Sequence, residues 1–211
     1  YQVYREGADP SLVKFNNKYY LFLSMSAGFW VSDDLCNWKY YPSPQLPVFD
    51  YAPDVRVIGE YMYFCASNFS ENCAFFRSKD PETGNFEEVS RTFSFWDPHL
   101  FHDDDGRVYF YWGCSSEDPL YGIELDPKDM TRIGNPVPLI SANLEEHGFE
   151  RINKKTFIEG PWLTKFNDIY YLQYAAPATE SNLYADGVYV SKKPLGPFEY
   201  AESNPFSFKP G

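Results

Sequence analysis

The sequence predicts an all-β protein of the β-propeller type, with four blades visible in its 211 residues. Three observations predict this fold: a fourfold repeat, aromatic residues at 20% of positions, and no stretch with sustained helical periodicity. Four short antiparallel strands in each unit of about 40–50 residues are typical of a propeller blade. Aromatic strands also suit sheets that pack face to face.

The repeat aligns on four prolines. In each unit a small or acidic residue precedes the proline, and a hydrophobic strand, a polar turn and an aromatic strand follow it. The prolines are Pro10, Pro53, Pro98 and Pro161, separated by 43, 45 and 63 residues. We interpret the whole chain, 1–211, as one propeller domain. Its predicted blades span about 8–45, 50–92, 95–135 and 157–203.

The longest interval between prolines predicts an insertion at about 141–155, which contains His147. Because the insertion runs straight into the inner strand of the fourth blade, we expect it as a loop above one mouth of the central channel. Long loops of this kind are more often functional than structural. The chain ends soon after the fourth repeat. Two interpretations are open at this point: a four-bladed ring, or the loss of a fifth blade.

Composition excludes several functional classes. With 30 acidic and 18 basic residues, the net charge of −12 disfavours nucleic acid as a partner. No apolar run approaches the roughly 20 residues of a membrane helix, so we expect no membrane insertion. The four cysteines are too unevenly spaced for a zinc site, and we interpret them mostly as small core residues. We expect neither a metal nor a cofactor.

Carboxylates recur beside the aligned prolines. Asp9 and Asp97 directly precede theirs, Glu159 lies two residues before Pro161, and Asp54 follows Pro53. Because the innermost strands of a propeller line its channel, equivalent positions should form a ring at one end of it. A catalytic role and a turn role both remain open here, since Asp before Pro is a common turn starter.

Several motifs resemble family 43 of the glycoside hydrolases, over most of the chain from Ala8 to Tyr200. They lie at 8–11, 32–38, 96–101, 159–162 and 191–198. The resemblance implies a five-bladed propeller that inverts the anomeric centre of xylosyl, arabinosyl or galactosyl substrates. It also implies β-xylosidase or α-L-arabinofuranosidase activity, with a carbohydrate as the partner.

The same resemblance assigns three catalytic roles. Asp9 falls on the general base, Glu159 on the general acid, and Asp97 on the carboxylate that tunes the pKa of the acid and orients it. An inverting glycosidase needs its acid and base roughly 6.5–9.5 Å apart to hold a water molecule. We expect the first and fourth blades to supply this gap, and an ionised Asp97 to raise the pKa of Glu159 by repulsion.

Further side chains are candidates for contacting the sugar, by stacking on its apolar face or by binding its hydroxyl groups. The predicted substrate contacts are Asp54, Trp96, His147, Trp30 and Trp162. Each tryptophan can equally be a core residue. The run at 103–105 is interpreted as a solvated hairpin turn rather than a calcium site, because calcium needs more converging oxygens.

One departure from the family pattern stands out. The fifth blade of the family contributes a channel-lining histidine, and nothing after Tyr200 supplies one. We therefore expect a truncated family member that lacks roughly 40–60 residues and could self-associate through exposed blade edges. The alternative function is a non-catalytic propeller that binds a glycan or a protein. A secreted or periplasmic location is expected, with a cytoplasmic one open.

Overall fold

The computed structural model describes residues 7–47, 52–67, 72–143, 148–152, 155–177 and 183–208. In these ranges the regular structure consists of β-strands and two single-turn 3₁₀ helices, at Pro81–Thr83 and Gly148–Glu150. Contacts between Cα atoms divide the chain into two compact units. The first unit comprises 1–102 and 127–131, and the second comprises 103–126 and 132–211.

The first unit begins with a four-stranded antiparallel blade, ordered β1-β2-β3-β4. Its strands are β1 (Ser11–Phe15), β2 (Lys18–Phe22), β3 (Gly28–Ser32) and β4 (Lys39–Pro42). Asn16 and Asn17 join the first two strands with φ angles of 48° and 64°. Asparagine tolerates this left-handed conformation, which two-residue hairpin turns require.

The second blade repeats this order with β5 (Asp54–Ile58), β6 (Tyr61–Cys65), β7 (Ala74–Ser78) and β8 (Glu87–Arg91). The two blades bury a shared aromatic core, in which the rings of Phe22 and Phe64 lie 5.6 Å apart. The strand β9 (His99–His102) completes the first unit, where it lies against β5.

The third repeat continues in the second unit. Its further strands are β10 (Val108–Trp112), the short β11 (Cys114–Ser115), β12 (Leu120–Leu125) and β13 (Arg132–Ile140). β12 pairs with both β10 and β13. β13 runs five residues beyond the predicted boundary at 135. This extension was not predicted, because Pro136, Pro138 and mostly exposed side chains do not resemble a strand in the middle of a sheet. Such features are tolerated only at a sheet edge.

The fourth blade is the largest sheet. A small hairpin, β14 (Arg151–Ile152) and β15 (Lys155–Thr156), precedes it. The blade then contains β16 (Ile158–Phe166), β17 (Ile169–Ala176), β18 (Ala185–Ser191), β19 (Glu199–Tyr200) and β20 (Ser207–Phe208). The strand order is β11-β16-β17-β18-β19, and β20 pairs with β18.

The predicted insertion contributes to the core of this unit. Glu150 has no exposed surface, and its carboxylate accepts hydrogen bonds from the hydroxyl of Tyr174 and, at 2.6 Å, from the backbone of Asn143. Burial and the neighbouring carboxylate raise the pKa of Tyr174. The described part of the insertion is thus anchored to β17 rather than standing free.

The prediction of an all-β fold built from propeller blades is confirmed. The four cysteines are free thiols; Cys65 and Cys73 are buried as expected, whereas Cys36 is exposed and Cys114 half-buried. Among the described residues, no helix has the length and apolarity needed to cross a membrane.

Candidate active site

The backbone repeats one unusual conformation close to the start of the inner strand in each of the four repeats. The residue before the aligned proline has a left-handed φ in all four repeats: 50° at Asp9, 52° at Ala52, 51° at Asp97 and 61° at Gly160. For residues other than glycine this conformation costs of order 1–2 kcal/mol, and such strain clusters at functional sites. The proline column of the sequence therefore marks one backbone feature, with an acid at two of its four positions.

Asp9 is exposed and held by one serine. Ser24 donates its hydroxyl to Oδ2 of Asp9 at 2.6 Å, and the same hydroxyl oxygen accepts the backbone N–H of Ala52 at 2.8 Å. The backbone N–H of Ser24 also donates to the carbonyl of Ala8 at 3.0 Å. Ser24 thus links the pre-proline segments of the first two blades and fixes the carboxylate of Asp9 between them.

The backbone of Asp97 is held as that of Ala52 is. Its backbone N–H donates at 2.9 Å to the hydroxyl of Ser67, which is fully buried. Ser67 lies two residues beyond β6, just as Ser24 lies two residues beyond β2. Sequence reasoning missed both serines, although the first two repeats each have one at this aligned position.

Asp54 is the buried carboxylate of the first unit, with 1% of its surface exposed. Its Oδ1 accepts the hydroxyl of Ser11 at 3.2 Å and lies 3.0 Å from the Arg56 guanidinium. Its Oδ2 accepts the backbone N–H of Leu100 at 2.6 Å, and His99 Nδ1 lies 3.5 Å away. These contacts join β1, β5 and β9 through one side chain. Burial raises the pKa of Asp54, and the Arg56 charge and the hydrogen bonds oppose that shift.

A sugar contact at Asp54 stays a prediction, and the observed geometry disfavours it. Both carboxylate oxygens already have protein partners, and a buried side chain offers no surface to a ligand. The observed contacts instead make Asp54 a tie between the strands that begin just after Asp9 and Asp97.

Glu159 lies in the second unit, on β16, where it pairs with Cys114 of β11 on one side and Ala175 of β17 on the other. Its Oε1 accepts the hydroxyl of Tyr184 at 2.8 Å, and its Oε2 is 3.4 Å from the thiol of Cys114. A register shift follows between Glu159 and Trp162, around the left-handed Gly160. Such a bulge re-aims side chains, and bulges are frequent beside active sites.

The predicted aromatic contacts differ in their surroundings. Trp30 is on β3, the third strand of its blade, and its ring packs 5.0 Å from that of Tyr40. Trp96 and Trp162 are half-buried. Trp96 directly precedes Asp97 in the chain, and Trp162 follows Glu159 by three residues. His147 lies outside the described residues. Sugar binding by these four residues stays a prediction.

The turn at 103–105 differs from its interpretation as a solvated hairpin. Asp103 is only 4% exposed and accepts Lys165 Nζ at 2.8 Å and the Tyr170 hydroxyl at 2.5 Å. Burial alone would raise the pKa of Asp103, but these hydrogen bonds outweigh it and hold the pKa below its ordinary value. Asp104 and Asp105 are exposed, as the interpretation requires.

Asp9, Asp54 and Asp97 belong to the first unit and Glu159 to the second. The four-stranded antiparallel blades place the chain in the class of β-propellers, and carboxylates lie beside their aligned prolines. The chain belongs to family 43 of the glycosyl hydrolases, whose model matches residues 3–210. The family resemblance of the motifs is thereby confirmed.

Two characterised relatives are similar to the chain. A xylan 1,3-β-xylosidase from a Vibrio species is 29% identical over 93% of this chain and 41% of its own length. A β-D-galactofuranosidase from Aspergillus niger is 32% identical over 48% of this chain and 26% of its own length. The chain therefore spans less than half of each of these two proteins.

Solved structures agree with the fold. A thermostable family-43 glycoside hydrolase superposes with a TM-score of 0.78 at 26% identity, covering 95% of this chain and 73% of its own. An endo-1,4-β-xylanase from Bacteroides thetaiotaomicron gives a TM-score of 0.75 at 28% identity, covering 94% and 73%.

Proposed function

We propose that the chain carries the catalytic carboxylates of an inverting glycosidase, which removes xylosyl or arabinofuranosyl units, or galactosyl units, from oligosaccharides or polysaccharides. The observation that carries the proposal is that Asp9 and Glu159 lie one and two residues before the aligned prolines of the first and fourth repeats, at or beside the left-handed residue that precedes each proline. Relatives described as a xylosidase and a galactofuranosidase support the substrate class.

In this mechanism Asp9 is the general base. It is exposed, and Ser24 occupies only one of its two oxygens among the bonds described above. A carboxylate with an accessible oxygen can bind a water molecule and remove its proton as the water attacks the anomeric carbon. The left-handed backbone and the Ser24 hydrogen bond hold the carboxylate ready for this step.

Glu159 is the general acid and donates a proton to the leaving glycosidic oxygen. Its half-buried position and two side-chain partners restrict its rotamer, which reduces the entropy lost on reaching the transition state. Asp97 orients this acid. Trp96, Trp30, Trp162 and His147 are the proposed sugar contacts.

The test is to replace each catalytic carboxylate without changing its shape. Glu159→Gln and Asp9→Asn should each lower hydrolysis of an unactivated pentoside by about 10²–10⁴-fold, the usual contribution of a general acid or base. Glu60→Gln is the matched control, because that carboxylate is exposed and pairs only with Lys79 among the described contacts.

Two results would contradict the proposal. Full activity in either catalytic variant would remove that residue from the mechanism. The anomer formed first, followed by ¹H NMR, tests the stereochemistry: a product with the configuration of the substrate would overturn inversion.

A further inference from the structure

The two oxygens of Glu159 have chemically unequal partners. Oε1 accepts the phenolic hydroxyl of Tyr184 at 2.8 Å, an ordinary distance for a strong O–H···O hydrogen bond. Oε2 faces the thiol of Cys114 at 3.4 Å, and a thiol is a weak donor and a weak acceptor. One oxygen is therefore firmly bound and the other is loosely held.

Strand pairing fixes both partners. Cys114 lies directly opposite Glu159 in the β11–β16 ladder. Tyr184 immediately precedes β18, whose first residue, Ala185, pairs with Ala176 of β17 and with Phe208 of β20. Because Ala185 has a strand partner on each side, the backbone that carries Tyr184 is held from both sides. The unequal surroundings of the two oxygens are thus built into the sheet.

We propose that Tyr184 is a positioning residue that makes Glu159 deliver its proton from Oε2, the oxygen that faces the weakly bonding thiol of Cys114. The proposal rests on the proposed function of Glu159 as the general acid. Tyr184 does not need to contact the sugar for this role, since it acts through the carboxyl group of Glu159.

The physical argument concerns which oxygen carries the proton. A protonated carboxyl group has one accepting carbonyl oxygen and one hydroxyl oxygen. Tyr184 donates to Oε1, which favours Oε1 as the carbonyl oxygen and places the proton on Oε2. The weak thiol partner then leaves that proton available for the leaving oxygen. After proton transfer, Tyr184 stabilises the carboxylate that has formed, because hydrogen bonds to charged acceptors are stronger.

Leaving-group dependence tests this role. A dinitrophenolate leaving group departs from a pentoside without being protonated, whereas the methoxide of a methyl pentoside needs a proton from the general acid. Tyr184→Phe should lower kcat/KM for the methyl pentoside at least tenfold more than it lowers kcat/KM for the dinitrophenyl pentoside. Glu159→Gln should show the same selectivity with a larger ratio between the two substrates. Cys114→Ala should change either value by less than about threefold, because it removes only the weak partner.

Tyr170→Phe is the matched control for a general loss of stability. Tyr170 is on β17 of the same sheet, and its hydroxyl binds Asp103 instead of Glu159. This variant should affect both substrates equally. An equal loss on both substrates in Tyr184→Phe, or a larger selective loss in Cys114→Ala than in Tyr184→Phe, would overturn the proposal.

A second measurement needs no turnover. The ¹³C chemical shift of the Glu159 carboxyl carbon responds to hydrogen bonds at its oxygens, and Glu159→Gln identifies the signal. Tyr184→Phe should move this signal, whereas Tyr170→Phe should leave it in place, because, of these two tyrosines, only Tyr184 donates to Glu159. An unchanged signal in Tyr184→Phe would overturn the role of Tyr184. Absence of hydrolysis by the wild-type protein would instead overturn the proposed function alone, since the chemical shift still reports the hydrogen bond.

Discussion

The carboxylate of Asp54 accepts the backbone N–H of Leu100 at 2.6 Å, which ties β5 to β9 through a side chain rather than a strand ladder. Ser11 ties β1 to the other oxygen of the same carboxylate and also accepts the backbone N–H of Val55 at 3.0 Å. Asp9 and Asp97 lie two or three residues before the tied positions. The buried Asp54 therefore couples the backbone segments that carry these two carboxylates.

Asp54→Asn should destabilise the protein by about 3 kcal/mol, because it removes the negative charge from a largely buried ion pair with Arg56. Chemical denaturation measures the free energy of unfolding. Glu60→Gln, in an exposed ion pair with Lys79, should change it by less than about 1 kcal/mol. Equal effects of the two substitutions would show that Asp54 is not the tie described here.

The Asp103 cluster predicts a pH dependence of stability. Because folding lowers the pKa of Asp103, its contribution is fully present above the unfolded pKa of about 3.9 and is lost as pH falls through the lower folded value. Asp103→Asn should therefore destabilise the protein at pH 7 by about 1.5–3 kcal/mol, through weaker bonds to Lys165 and Tyr170.

The measurement is the difference in unfolding free energy between wild type and Asp103→Asn, followed from pH 7 downwards. This difference should shrink below about pH 4, because the carboxyl group of the unfolded wild type takes up a proton there, whereas that of the folded state does so only at a lower pH. A difference that stayed constant with pH would contradict the assignment of the effect to the ionised carboxylate.

The left-handed φ angles before the aligned prolines predict opposite effects on stability for two substitutions. Gly160→Ala should destabilise the protein by about 1 kcal/mol, because alanine at a φ of 61° is strained although no neighbouring atom lies within 4 Å of the added Cβ. Ala52→Gly removes the same strain at a φ of 52° and should be neutral or stabilising by up to about 1 kcal/mol. Thermal unfolding compares the two, and effects of the same sign would refute the backbone explanation.

Much of the fold was predictable because the repeat is local. Each blade reads as a proline, a hydrophobic strand, a polar turn and an aromatic strand, and β1, β2, β5 and β6 lie where this pattern places them. The third blade was predicted to end at about 135, five residues before β13 ends, because the prolines and the exposed side chains of β13 give no alternating pattern. The two short strands of the insertion, β14 and β15, had no sequence signal of their own.

The candidate site was only partly predictable. The aligned prolines brought Asp9, Asp97 and Glu159 to attention, and the family match supports that alignment. The burial of Asp54 and Asp103 was not foreseen, because nothing in the neighbouring residues distinguishes these carboxylates from exposed ones.

By itself, the amino-acid sequence determined the first two strands of the repeat, the blade pattern and the family, since these follow from periodicity and short motifs within each repeat. Only the tertiary structure decided which donors each acid receives. Tyr184 and Cys114 reach Glu159 from 25 and 45 residues away, and Leu100 reaches Asp54 across 46. Such pairs depend on which strands lie beside one another in the folded protein. A hydrogen bond acts over only a few ångströms, so residues far apart in the chain can form one without any periodic pattern in the sequence.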